Sequence, residues 1–268
     1  MKTLIINLAR ATDRMDFMRA QMADLGLDWE RIEAVTPATL QPPADDPVWH
    51  RWQRPMRSTE MALCASHMAA WRRVIALDAP CLVLEDDALL SRGLPGFLAQ
   101  VAGLAGIDHI SLETRSRKKL VARMMHPDAP IRRLWQDRTG SAAYVVFPHG
   151  AKALLAHAQR SGAPSDALIS ATYAMRSFQA DPALSIQLDQ CRAYGLVPAI
   201  ETASLIDAVG KPGLAGDLAL PRRIAYRLRR ISAQLRMGGR HLIRLGRAHR
   251  LAIAPAGDLW GGARGKAG

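Results

Sequence analysis

The sequence predicts an α/β fold, and three observations predict it. The chain opens on a short, β-branched apolar run, Thr3-Leu4-Ile5-Ile6-Asn7-Leu8, followed by a helical segment and a second strand-like run. A later run, Cys81-Leu82-Val83-Leu84, is apolar at every position, the pattern of a strand covered on both faces. Strands alternating with helices are the rhythm of a sheet layered between helices. With 268 residues, 49% of them hydrophobic, the chain can bury one sizeable core and carry an appendage.

The elements follow in order. Residues 3–8 form the first strand. Thr12 or Asp13 is placed to cap a helix reaching residue 25, with Met15, Met18 and Met22 at helical spacing and Gly26 ending it. Residues 29–35 alternate loosely and suit a second strand. Residues 36–57 hold five prolines with Trp49 and Trp52, so a long irregular loop is expected, of a kind often used for binding. Its tryptophans are candidates to stack on a sugar or to anchor the loop. Ser58 or Thr59 opens a helix to residue 77, and the strand at 81–84 follows. After Pro95 a helix runs to 104, then a strand at 109–112. The basic stretch 115–133 is expected to be irregular. A strand at 141–147, a helix at 150–159, a helix opening at Pro164-Ser165-Asp166 and a short strand at 183–187 complete the body. Residues 202–221, punctuated by Gly and Pro, are expected to lack regular structure.

Several classes are excluded. Cys64, Cys81 and Cys191 are odd in number and far apart, which gives neither a disulfide framework nor a zinc motif. The first apolar run is too short for a secretory leader and ends at Arg10, and no stretch of about 18 apolar residues exists. A cytoplasmic location is therefore expected. The net charge of +12 is uneven: residues 222–250 hold ten arginines and no Asp or Glu, so the rest is nearly balanced.

Glu85-Asp86-Asp87 stands at the end of the buried run 81–84. Adjacent carboxylates beside buried structure repel one another and are costly unless a cation pairs with them. Mg²⁺ or Mn²⁺ with a diphosphate is one solution, since these ions take one or two carboxylates plus phosphate oxygens. The place is also apt, because ligands of open α/β sheets bind beyond the carboxyl ends of strands. The plain alternative is that Asp86 or Asp87 caps a helix while Glu85 faces water.

Four ordered segments resemble the bacterial lipooligosaccharide glycosyltransferases of family 25. They are Ile5-Ile6-Asn7-Leu8-Ala9-Arg10 with Asp13-Arg14; Glu60-Met61-Ala62-Leu63-Cys64-Ala65-Ser66-His67 with Trp71; Leu82-Val83-Leu84-Glu85-Asp86-Asp87; and Gly140-Ser141-Ala142-Ala143-Tyr144 with Gly150-Ala151. Pro164-Ser165-Asp166 is similar to the P-x-D that follows in the family. Leu63 departs from the pattern, which usually has Gly before the Cys. The resemblance implies a GT-A-like, Rossmann-type sheet and inverting transfer of galactose or glucose from a UDP-sugar. It implies that Glu85 and Asp87 hold Mn²⁺ or Mg²⁺ and that Asp86 faces the donor. Asn7, Arg10 and Arg14 follow the first strand, where a nucleotide would lie, and an arginine fork suits phosphate. Ser66 and His67 are further donor-side candidates, His67 either at the diphosphate or orienting a carboxylate. Asp166 is the candidate base for the acceptor hydroxyl.

These expectations divide the chain into a catalytic domain, 1–215, and a basic tail, 216–268. In the tail Ile224, Leu228, Ile231 and Leu235 share one helical face and arginines occupy the rest, with Gly238-Gly239 expected to break the helix. That pattern marks an interfacial helix attracted to anionic lipid, useful if the glycan acceptor is lipid-linked. Nucleic acid is disfavoured, since Tyr226 is the one aromatic of the arginine-rich stretch 222–250 and no nucleic-acid motif accompanies it. The competing readings are a catalytically silent binding protein of the same fold, and a membrane- or nucleic-acid-binding adaptor acting through the basic tail alone.

Overall fold

The computed structural model describes residues 1–137, 140–200 and 220–260. Strand β1 (Lys2–Asn7) leads through helix α1 (Thr12–Leu25) to β2 (Trp29–Glu33), parallel to β1. An irregular segment with a 3-10 turn at Pro47–His50 enters α2 (Ser58–Leu77), which leads to β3 (Cys81–Glu85), parallel to β1 on its other side. There follow β4 (Ala88–Leu90), α3 (Leu94–Val101), β5 (His109–Ser111), the hairpin β6 (Lys118–His126) and β7 (Ala129–Gln136), β8 (Ala143–Val146), α4 (Pro148–Arg160) and α5 (Ser165–Ala171). The chain continues with β9 (Ser177–Ala180), β10 (Ser185–Gln187), a 3-10 turn (Leu188–Tyr194), α6 (Leu220–Ile243) and β11 (Ala248–Ala252).

Nine strands form one sheet in the order β11-β6-β7-β9-β5-β8-β3-β1-β2, and β4 pairs with β10 beside it. Strands β1, β2, β3, β5, β6 and β9 run one way, and β7, β8 and β11 run the other. The expected α/β sheet with flanking helices and a basic C-terminal helix is what the chain forms, with β1, β2 and β3 as a parallel part of it.

Side chains along a strand point alternately to opposite faces, and the apolar runs use both. Ile5, Leu82, Leu84 and Val145 pack with α1 and α3 on one face. Leu4, Ile6, Cys81, Val83, Tyr144 and Val146 pack with α2, α4 and α5 on the other. Because α1 and α2 cover opposite faces, the strand order reverses between β1 and β3. Such a switch point leaves a crevice at the carboxyl ends of the two strands, and Asn7 and Glu85 are the last residues of those strands.

Several expectations need correction. The basic stretch 115–133 is largely the β6–β7 hairpin, whose Leu120, Val121, Ile131 and Leu134 are buried. Helix α1 begins after Ala11 with no side-chain cap from Thr12 or Asp13. Helix α2 is opened by Arg57, whose backbone N–H donates to Glu60 Oε2 at 2.9 Å. Trp49 is no sugar platform. It is 1% exposed, donates from Nε1 to the Pro42 carbonyl, and packs so near Gly162 that an added Cβ there would stand 2.3 Å from its ring. The segment 202–219 lies outside the described residues.

Of the expected tail, 216–268, Leu220 to Trp260 are described. Helix α6 runs through Gly238 and Gly239 without a break. The chain then returns to the sheet, where β11 pairs antiparallel with β6. Beyond it Asp258 accepts from Ser91 Oγ at 2.6 Å, and Trp260 donates from its backbone N–H to the Leu90 carbonyl at 2.7 Å. Among the described residues no helix is long and apolar enough to cross a membrane.

Candidate active site

The acidic triplet is built from both sides of the β1–β3 crevice. In the ladder, Ile6 stands opposite Glu85, so Asn7 lies level with the turn that carries Asp86. Asn7 Nδ2 donates to Asp86 Oδ2 at 2.7 Å and to the Ala11 carbonyl at 3.1 Å. Arg14, on the first turns of α1, donates to Asp86 Oδ1 at 2.9 Å. Burial pushes the Asp86 carboxyl above its ordinary range, while Arg14 and Asn7 draw it back down.

Glu85 points to the opposite face, towards α2. Its Oε1 accepts from Ser141 Oγ at 2.6 Å and stands 3.3 Å from His67 Nε2. Burial pushes Glu85 up, but the hydrogen bonds from His67 and Ser141 and the nearby charge of Arg115 outweigh it, leaving the group below its ordinary range. His67 Nδ1 meets the Tyr144 hydroxyl at 2.9 Å, and Trp71 Nε1 donates to the same hydroxyl at 2.8 Å. The chain His67–Tyr144–Trp71 is wholly buried and fixes the ring beneath the carboxylate.

Asp87 turns towards β10. Gln187 Nε2 donates to it at 3.2 Å, and the Leu188 N–H donates to its backbone carbonyl at 3.0 Å. Arg115 donates to Gln187 Oε1 and, at 2.7 Å, to Asp189. Burial and then the charge of Glu85 push the Asp87 carboxyl up to about 7. Closely placed carboxylates raise one another in this way until a cation joins them.

Asp166 opens α5 beside the triplet. Ser165 Oγ meets Ser141 Oγ at 3.0 Å, and Ser141 reaches Glu85, so α5 is tied to the end of β3 through two hydroxyls. Burial pushes Asp166 up to about 6; the nearby charges of Glu85 and Asp137 add to the rise and Arg54 opposes it. Arg54 clamps Glu60 through both of its terminal nitrogens, at 2.8 and 2.6 Å, which holds the 36–57 segment against α2.

The structure thus brings Asn7, Arg14, Glu85, Asp86, Asp87, His67 and Asp166 to one end of the sheet. Arg10 lies exposed at the start of α1. Ser66 is closed off: its Oγ donates to the Ala62 carbonyl and accepts from the Val35 N–H, both at 2.8 Å. His67 is equally buried and offers no surface to a donor, so it reaches the site only through Glu85. Ser141, Tyr144, Gln187, Arg115 and Arg54 join the site beyond the residues expected from the sequence. The first two lie inside a quoted segment, G-x-x-A-Y, and that was the available signal. Gln187 and Arg115 had none.

The family model described as glycosyltransferase family 25 (LPS biosynthesis protein) matches residues 1–169. The chain belongs to this family and is a glycosyltransferase by that membership. No curated protein sequence matches it. Similar solved structures include a glycosyltransferase involved in the glycosylation of the major capsid of PBCV-1, at 11% identity and TM-score 0.38, covering 72% of this chain and 96% of that one. Another is the inositol-1-phosphate CTP transferase from T. maritima, at 9% identity and TM-score 0.38, covering 69% and 88%. A third is mannose-1-phosphate geranyltransferase from Thermus thermophilus, at 11% identity and TM-score 0.38, covering 88% and 98%.

Proposed function

We propose that this glycosyltransferase inverts configuration as it moves a hexose, galactose or glucose, from a UDP-sugar to a lipooligosaccharide or another surface glycan. The observation that carries the reading is the placement of Glu85, Asp86 and Asp87 at the β1–β3 switch point, with Asn7 and Arg14 on the facing strand and helix.

The donor set fits Mn²⁺ or Mg²⁺. Glu85 keeps Oε2 free of the His67 and Ser141 contacts, and among the described residues the Asp87 carboxylate accepts from the Gln187 amide alone. Among the described residues no three His, Cys, Asp or Glu side chains form a ready metal cage. Two carboxylates completed by a diphosphate are the usual arrangement for these hard ions. Such a cation would neutralise the charge that gathers on the departing diphosphate. Asp86, fixed by Asn7 and Arg14, would face the donor, and the exposed Arg10 would reach its phosphates. In an inverting displacement the acceptor hydroxyl oxygen bonds to the anomeric carbon as the bond to UDP breaks, and its proton passes to a base. Asp166, with its value near 6, is ionised at neutral pH and basic enough for that role.

The test is a thermal-shift panel of UDP-sugars with and without Mn²⁺. The reading requires a shift with at least one UDP-hexose that depends on the metal and is lost in Asp87→Ala. No shift with any of them removes it.

A further inference from the structure

Helix α6 is turned inside out relative to an ordinary surface helix. Its arginines help to fasten it to the protein and its aliphatic residues face solvent. Arg229 donates to the His50 carbonyl at 2.6 Å, and Arg240 donates to the Trp135 carbonyl at 3.2 Å and lies 4.1 Å over the Tyr173 ring. Arg244, just past the helix, lies 4.0 Å over the Trp135 ring. Tyr226 and Ala233 are the residues buried beneath the helix. At about 100° per residue these anchors fall on one side. Ile224, Leu228, Ile231, Leu235 and Leu242 fall on the other, and each is between 48% and 71% exposed.

A continuous aliphatic stripe of this length is not left in water without a partner. Its neighbours say which partner. Arg227 borders the stripe, Arg230 lies further round on the same side and Arg236 beyond the other border, all exposed, and residues 222–250 contain no Asp or Glu. A second copy of the helix would bring arginine against arginine with no acid to relieve it. An anionic lipid surface offers apolar depth to the stripe and negative headgroups to its borders. We propose that α6 is a preformed membrane-docking face, through which the folded protein rests on an anionic bilayer with this stripe inserted at the headgroup boundary. The anchors at Arg229 and Arg240 fix the helix to the segment preceding α2 and to the strand and loop flanking α5. Docking would therefore set the orientation of the Asp166 end of the sheet towards the bilayer. The docking itself does not depend on the transfer chemistry.

The experiment is co-sedimentation of the full chain with phosphatidylcholine vesicles, with and without phosphatidylglycerol. Wild type should bind the anionic vesicles at least about tenfold more tightly than the neutral ones. Leu228→Gln with Leu235→Gln should weaken binding to the anionic vesicles by about tenfold or more. Arg227→Gln with Arg230→Gln should weaken it on anionic vesicles alone. All four side chains are exposed, so thermal melts should match wild type. Failure of wild type to bind anionic vesicles at low salt overturns the proposal. So does undiminished binding by the leucine variant. A concentration-dependent dimer in light scattering that the leucine variant abolishes, without vesicle binding by wild type, would assign the stripe to self-association instead.

Discussion

His67 Nε2 stands 3.3 Å from Glu85 Oε1, and the other nitrogen of the same ring meets the Tyr144 hydroxyl at 2.9 Å. Trp71 can only donate to that hydroxyl. A neutral imidazole then satisfies every member: the tyrosine proton goes to Nδ1 and the Nε2 proton to Glu85. The ring positions the carboxylate to which the proposed function gives the metal, as partners behind metal ligands commonly do. His67→Ala should weaken Mn²⁺ affinity by about 10–100-fold, whereas His67→Gln, which keeps a donor, should recover part of it. Calorimetric titration of Mn²⁺ into both variants checks this, and unchanged affinity in the alanine variant would remove the positioning role.

Asp166 makes a prediction in pH. In its proposed role as base it works when ionised, so kcat/KM should rise with pH through a midpoint near 6, the value to which burial pushes this carboxyl. Asp166→Asn should lower kcat by about 10²–10⁴-fold and abolish that limb. Donor affinity should barely change, which separates loss of the base from loss of the site. A variant that keeps the limb would place the base elsewhere.

Much of the site was legible because it sits in short, contiguous signals. Four apolar residues followed by three acids mark a strand end whatever surrounds it. What the string did not show was the pairing. Asn7 and Arg14 meet Asp86 across more than seventy positions because a crossover sets β3 beside β1. The burial of Trp49 is hidden for the same reason, since the space it fills is left by Gly162. The β6–β7 hairpin was obscured by its own residues. Arg123 and Arg132 interrupt the apolar alternation, and register shifts between Leu120 and His126 break the period. The unbroken course of α6 through Gly238 and Gly239 shows tertiary contacts overriding a propensity cost of about 1 kcal/mol per glycine.

Arg14 and Asp86 form an ion pair with side chains only 15% and 13% exposed. Removing one member of such a pair leaves the other charge uncompensated, which is costlier than losing both. Arg14→Ala should destabilise the fold by up to about 3–5 kcal/mol. Asp86→Asn should cost less, because the amide oxygen still accepts from Asn7 or Arg14. The double variant should be no worse than Arg14→Ala alone. Urea unfolding of the three proteins measures this coupling, and additive losses would show that the two residues act independently.

Glu113 supplies a stability switch beside the triplet, whose Glu85 charge adds to its rise. It is 1% exposed, and neither carboxyl oxygen finds a hydrogen-bond donor among the described residues. Gly140, at φ 120°, lies so near that a Cβ there would stand 2.3 Å from Oε1, so the carboxyl is closed in by backbone. Burial pushes its value up to about 8, against the nearby charge of Lys119. The sign follows from linkage. Between the ordinary glutamate range and about 8, the unfolded chain has released this proton and the folded chain has kept it. Each step up in pH across that window therefore favours unfolding, and above it the loss is complete. Glu113→Gln keeps the shape and removes the titration. The variant should match wild type near the ordinary glutamate range and exceed it at about pH 8 by on the order of a few kcal/mol. Thermal melts of both proteins across that range test this. A difference that stays constant with pH would mean that the carboxyl already finds a partner that holds its charge.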